Sequence, residues 1–263
     1  MIEPRPAYPF AWTPQPWGAA LHSARLDEVA LHLFTTRDLV LRGPHSDDGW
    51  RQLAAAMGVK ASRLVRLKQV HGTGVIVIRA GESRKEAKTD AGRPRADIVM
   101  TDDPTVAVAV HVADCVPLLL ADSVTGAVAA VHAGWRGTAA GAARQAVSAM
   151  QSHFGTRPVD LIAAMGPSIG PCCYQVGSDI VEAFRAAGTA HAQIREWFRP
   201  LAEGGPYRLD LAKASIDQLR AAGLDPANID TCGLCTACHP SLFHSYRRDG
   251  VRTGRLAGVI RPK

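Results

Sequence analysis

A mixed α/β fold, with sheets covered by helices, is what this sequence predicts, and three observations predict it. Apolar strand-like runs recur along the whole chain. Four helical patterns are interspersed among them, three with a glycine just beyond their end. The alternation follows no strict βαβ period, so the sheets should be mixed rather than all parallel. With 263 residues, 47% of them hydrophobic, the chain can bury a sizeable core and fits one large domain, residues 1–263, better than two. Residues 1–30 read as a proline-rich lead-in to it.

Taken in order, strand-like segments fall near residues 31–35, 64–70, 75–78, 97–100, 105–121, 127–132, 159–165, 242–247 and 253–260. The stretch Thr105 to Cys115 alternates valine with smaller residues, and Val116 to Ala121 continues it as an apolar run. Asp122, Ser123, Thr125 and Gly126 supply turn chemistry before Ala127 to His132 returns. Asp249-Gly250 signals a hairpin joining the last two strands. Helical patterns cover Asp48–Met57, Ala139–Ser152, Ser178–Ala187 and Leu211–Ala222, with Gly58, Gly188 and Gly223 at left-handed cap positions.

Charge and cysteine usage narrow the function classes. The net charge is +6, from 30 basic and 24 acidic residues, and aromatics make up 6%. The arginines are scattered rather than striped, which argues against a nucleic-acid binder and leaves anionic small molecules open. The N-terminal segment lacks a basic n-region and an uninterrupted apolar stretch, so it is read as no signal peptide. The longest apolar run carries His111, Asp114, Cys115 and Pro117 and is not a membrane span. Six cysteines without a secretory signal are expected to be reduced thiols or metal ligands, and the cytoplasm is the expected compartment. No obligatory protein partner is indicated.

Three motifs carry the chemistry: His71 in KQVHG, Cys115 in ADCVPLLL and His132 in HAGWRG. Two imidazoles and a thiolate suit zinc, and three protein ligands leave a catalytic position open. If the turn centres near Val124, residue 116 faces 132, which places Cys115 and His132 roughly 5 Å apart at Cβ. His71 should close the strand 64–70. His111 shares a strand face with Cys115 but sits about 13 Å away, so it is expected in the core or pocket wall and not as a fourth ligand. Asp114 points to the opposite face and reaches the site only if the strand bulges or ends there.

Around this trio, Arg136 and a helix starting near Thr138 would make an anion site. Lys68 is a second cation, although alternation turns it away from His71. The glycines of Gly166-Pro-Ser168-Ile-Gly170 permit close approach of backbone to a ligand, and Arg247 in SYRRDG could bind an anionic or carbonyl group. Cys232, Cys235, Cys238 and His239 look like a zinc knuckle, but a tight cluster without a second half at ribbon spacing argues against a separate site. Adjacent Cys172 and Cys173 should not both point into one.

In this order KQVHG, ADCVPLLL, HAGWRG, GPSIGPCCYQV and CTACHPSLFHSYRRDG closely resemble the YfiH-type laccase-domain family, over about Phe34 to Ile260. Its bacterial members have been described as polyphenol oxidases and as purine nucleoside phosphorylases. The resemblance implies a layered α/β/β/α domain with mixed sheets, metal ligands at His71, Cys115 and His132, and a pocket wall formed by the loop of residues 166–174 around Ser168. It also implies a zinc-dependent phosphorylase acting on adenosine, inosine or methylthioadenosine, with phosphate as co-substrate and adenosine deamination as a further activity. Copper polyphenol oxidation is the alternative, since His₂Cys is also a blue-copper set. None of the ten histidines, however, forms the H-x-H pairs of multicopper laccases. Hydrolysis of peptidoglycan precursors, as in some relatives, is a third reading, and Cys115 with His132 as nucleophile and base is conceivable. A non-enzymatic zinc protein is disfavoured by the open position. The sequence departs from the family after Phe34-Thr-Thr-Arg37, where its glycine-rich segment is replaced. It also departs at Gln175, where glutamate is frequent, and at His244, where phenylalanine is common.

Overall fold

Two six-stranded mixed sheets lie face to face in the computed structural model, which describes residues 3–81, 92–203 and 205–263. Strands β1 (Phe10–Gln15), β2 (Gly18–Ser23) and β3 (Ala30–Thr35) open the first sheet, with α1 (Ala24–Asp27) between the last two. The proline-rich segment therefore carries two strands that periodicity did not reveal. Pro14 is accommodated because β1 lies at the sheet edge, where a missing N–H breaks no ladder. This sheet is completed by β4 (Leu64–Arg66), β7 (Ala107–Val112) and β15 (Leu256–Pro262), in the order β1-β2-β3-β15-β7-β4.

The second sheet contains β5 (Val75–Ile78), β6 (Ile98–Thr101), β8 (Val116–Asp122), β9 (Val128–Ala133), β10 (Leu161–Met165) and β14 (Ile229–Thr231), ordered β14-β10-β8-β9-β6-β5. A small sheet of β11 (Gln175–Val176), β12 (Phe198–Pro200) and β13 (Tyr207–Leu209) stands apart. The helices are α2 (Ser46–Ala56), α3 (Trp135–Ala139), α4 (Ala142–Phe154), α5 (Ser178–Ala186), α6 (His191–Trp197), α7 (Leu211–Ala221) and α8 (Tyr246–Asp249).

Strand alternation sorts the apolar residues into layers. Val108, Val110, Leu119, Val128 and Ile260 fill the space between the sheets. The opposite face of the first sheet, through Ala107, Ala109 and Val259, packs on Trp50, Leu53 and Met57 at α2. That of the second, through Leu118, Leu120 and Val131, packs on Val147, Met150 and Leu219 from α4 and α7. The result is the expected α/β/β/α layering. Gly58, Gly188 and Gly223 follow their helices at positive φ, as cap chemistry requires. Among the described residues no helix is long and apolar enough to cross a membrane.

Three expectations are corrected. The run 105–121 is two strands in different sheets, interrupted at Ala113–Cys115 with Asp114 at φ 92°. The strand expected over 64–70 ends at Arg66, so the chain leaves the first sheet for the second twice, before β5 and before β8. The hairpin at Asp249-Gly250 is absent from residues 242–260: Ser245 Oγ accepts the Arg248 N–H and starts α8, and Gly250 ends it at φ 66°. A serine cap one turn before Asp249-Gly250 turns that pair from a hairpin signal into a helix stop.

Candidate functional site

Both crossings from the first sheet to the second carry a candidate ligand, and each is held by a side chain that takes the place of missing backbone. Where β4 stops, the Gln69 amide pairs with the backbone of His111: its Nε2 donates to His111 O and its Oε1 accepts from His111 N, both at 2.8 Å. Two residues on, His71 stands at φ 62°, a left-handed conformation that costs a non-glycine residue about 1–2 kcal/mol. The buried carboxylate of Asp97 compensates for it. It accepts the N–H groups of Val70 (3.2 Å), His71 (2.9 Å) and Gly72 (2.7 Å) and the Nδ1 of His132 (2.7 Å).

His132 lies near the end of β9, paired with Pro117 rather than facing residue 116. The turn centres half a residue later than expected because Asp122 Oδ1 accepts from both Val124 and Thr125. Cys115 nevertheless arrives beside it. One donor atom each from His71, Cys115 and His132 all lie within 4.8 Å of one another, and the two imidazoles meet edge to face with centroids 4.8 Å apart. Burial alone would raise the Cys115 thiol, but His132 and His71 bring it well below its ordinary value. Burial would likewise lower His132, and the Cys115 sulphur and Asp97 raise it instead.

These residues fit a zinc or copper ion. Asp97 occupies Nδ1 of His132 and leaves Nε2 as its ligand atom, the usual carboxylate–histidine arrangement. At Gly134 a Cβ would come 2.9 Å from Cys115 Sγ and 3.1 Å from His71 Cδ2, so the ligands close onto bare backbone there. His71 is exposed and His132 buried, which leaves the trio open on one side.

That open side faces a cavity of about 580 Å³, with Gln69, His111, Tyr174, Arg136, Arg247 and Arg255 in its wall. The Arg136 guanidinium lies 4.2 Å over the Trp135 ring, and that of Arg247 lies 5.0 Å over Tyr174. His111 is pushed down to about 3 by burial and by neighbouring cations, and lines the cavity as a neutral ring. Asp114, released from the strand, ties the wall together. It accepts Thr236 Oγ1 and the Arg247 N–H at 2.6 Å each, and its carbonyl accepts the Ile169 N–H.

Of the other sequence-derived residues, Arg136 and Arg247 line the cavity, whereas Lys68 and Ser168 do not. Lys68 is exposed while Gln69 beside it turns inward to pair with His111, and buried Ser168 yields the lining position to Ile169. The expected helix start at Thr138 is also corrected. Gly134 precedes a five-residue α3, Thr138 is buried within it, and Gly141 at φ 83° separates it from α4. The positive character of the cavity therefore rests on arginine side chains. Tyr174 and Ile169 line the cavity from the loop of residues 166–174, which was expected to form a pocket wall. Sequence reasoning missed Asp97, Gln69 and Arg255; for Asp97 the available signal was an acid immediately before the apolar strand Ile98–Thr101.

The cysteines outside the trio also depart from expectation. Cys172, Cys173, Cys235 and Cys238 bring four sulphurs within 4.8 Å of one another. The sulphurs that Cys235 and Cys238 lack nearby in sequence are thus those of the Cys172–Cys173 pair, distant in sequence. Cys232 takes no part in this group; it is buried, and burial pushes its thiol up to about 12.

Comparison with known proteins places the chain. Residues 46–263 match the family model described as multi-copper polyphenol oxidoreductase laccase. A Deinococcus radiodurans protein named purine nucleoside phosphorylase is 38% identical over 244 residues, spanning 87% of this chain and 88% of that one. A protein named adenosine deaminase RL5, from an unknown prokaryotic organism, is 37% identical over 215 residues, 80% of this chain and 79% of its own. The crystal structure of Bacillus licheniformis YfiH superposes with a TM-score of 0.87 at 30% identity, covering 97% of this chain and all of that one. The chain belongs to the YfiH-type, laccase-like family described by that model.

Proposed function

We propose that this protein is a zinc-dependent purine nucleoside phosphorylase, acting on adenosine, inosine or methylthioadenosine, with adenosine deamination as a second activity of the same site. The observation that carries this reading is a three-ligand His/Cys/His group whose open side meets an arginine-lined cavity. Phosphorolysis needs a bound phosphate, and Arg136, Arg247 and Arg255 supply positive charge around one volume. Trp135 and Tyr174 add apolar aromatic surface to the same wall, where a purine could pack, and Asp114 holds the Arg247 backbone in place. The roughly 580 Å³ cavity lies within the range of small-molecule sites. Zinc held by His71, Cys115 and His132 would supply Lewis-acid polarisation or a more acidic water. Deamination is favoured as the second activity by the relative named adenosine deaminase.

The test is chromatographic product analysis of adenosine incubated with metal-quantified protein, with and without phosphate, beside His132→Ala. Adenine formed only with phosphate, and lost in the variant, is the expected result. Inosine formed regardless of phosphate would make deamination the main reaction. Neither product from zinc-replete protein would refute the nucleoside reading.

A further inference from the structure

Cys172 and Cys173 sit on the loop between β10 and β11, and Cys235 and Cys238 on the loop after β14. The Cys172 and Cys173 sulphurs lie 3.5 and 3.4 Å from that of Cys238, and all four lie within 4.8 Å of one another. A tetrahedral zinc with Zn–S bonds of about 2.3 Å places its sulphurs about 3.8 Å apart, within this spread. A disulfide needs about 2.05 Å, and an iron–sulfur cube needs sulphurs spaced wider than these. We propose that Cys172, Cys173, Cys235 and Cys238 form a second, structural metal site, a closed tetrathiolate that takes zinc or another thiophilic divalent ion.

The backbone around Cys235 supports the assignment independently of the sulphur spacing. Its Sγ accepts the Gly170 N–H at 3.3 Å. An N–H group aimed at the first sulphur of a C-x-x-C turn stabilises a thiolate and leaves its remaining lone pairs for a metal. Gly170 is where the second loop comes in: a Cβ there would stand 3.3 Å from Cys172 Sγ and 3.4 Å from Cys235 Cβ. Four protein sulphurs leave no position for substrate, so the role is to fasten one loop to the other. The first loop carries Ile169 and Tyr174 into the cavity wall, and the second carries Thr236, which bonds Asp114. The assignment depends on this cluster alone and stands or falls separately from the reaction proposed above.

The test is metal counting on the full chain purified under reducing conditions, with Zn²⁺ and, separately, Co²⁺ as the probes. The wild type is expected to hold about two ions per chain, one closed and one open site. His132→Ala should retain one, and its cobalt form should keep an intense thiolate-to-metal charge-transfer band. Cys172→Ser and Cys238→Ser, both at exposed positions, should weaken or lose that band while the His71–Cys115–His132 ion remains. Circular dichroism and gel filtration of the two variants report folding separately. The proposal is overturned if these folded variants bind as much metal as the wild type with an unchanged cobalt spectrum. It is equally overturned if peptide mapping of the reduced-purified protein finds a Cys172–Cys238 or Cys173–Cys238 disulfide.

Discussion

Two sulphur-bearing corners of the molecule can be set against each other. At the first, His71, Cys115 and His132 come from three chain segments, and one buried carboxylate, Asp97, orients two of them. At the second, two loops bring four sulphurs together and the Gly170 N–H steadies one of them. The first corner holds mixed donors, is open on one side, and faces a cavity. The second has sulphur donors alone and no cavity role of its own. Donor number and second-layer support separate a place where chemistry happens from a place that only fastens.

The largest effect should come from Cys115→Ala. It removes a ligand of the open corner, so nucleoside turnover should fall to background while about one zinc per chain remains at the closed corner. Retained turnover with one zinc would mean that the wrong corner has been assigned to catalysis. Gly134→Ala is next. Its methyl would meet Cys115 Sγ at 2.9 Å, so zinc affinity of the open corner should drop sharply while the cobalt–thiolate band of the closed corner stays. Titration with a zinc-reporting dye separates the two.

Asp97→Asn is subtler. Loss of a carboxylate behind a histidine ligand typically weakens metal binding about 10–100-fold. Burial favours the protonated form of Asp97, but the His132 bond and the Gly72 and His71 amides outweigh it and hold its carboxyl below the ordinary value. A depressed folded value contributes stability above the ordinary carboxylate range near 3.8 and loses it as pH falls below that. Metal-free wild type should therefore lose stability in that acid window, and Asp97→Asn should lose less there.

His111 gives a smaller and separable signal. Burial first, and then nearby cations, lower it from 6.5 to about 3. The unfolded chain then takes up a proton below pH 6.5 that the folded chain refuses. Stability should fall by up to about 1.4 kcal/mol per pH unit from 6.5 downwards. His111→Gln should flatten that slope in thermal melts; an unchanged slope would show that the ring is protonated in the folded state. Lys68→Ala, at an exposed site outside the cavity, should shift stability by no more than about 0.5 kcal/mol and leave the phosphate KM unchanged.

What the sequence revealed follows from how local each signal is. His71, Cys115 and His132 stand in short motifs whose turn residues mark them, so they were legible without coordinates. The mixed α/β character of the core was legible too, because the valine alternation of 107–112 and the runs of 116–122 and 128–133 are local patterns; the α/β/β/α layering came from the family resemblance. Asp97 was not: an acid before a strand is common, and its importance comes from the N–H groups of residues 70–72 folding over it. The four-cysteine corner was hidden for the same reason, since Cys235 and Cys238 find their partners some 65 residues earlier. Strand β1 was masked by Pro14, which its edge position tolerates.

His71 and Cys115 each lie where the chain steps from one sheet to the other, and His132 lies near the end of a strand of the second. An ion shared by these three would act as a rivet through the stack, resisting the sliding of one sheet over its neighbour. Its loss would be felt mechanically, as faster amide exchange in β4 and β7 on one side and β9 on the other, rising together.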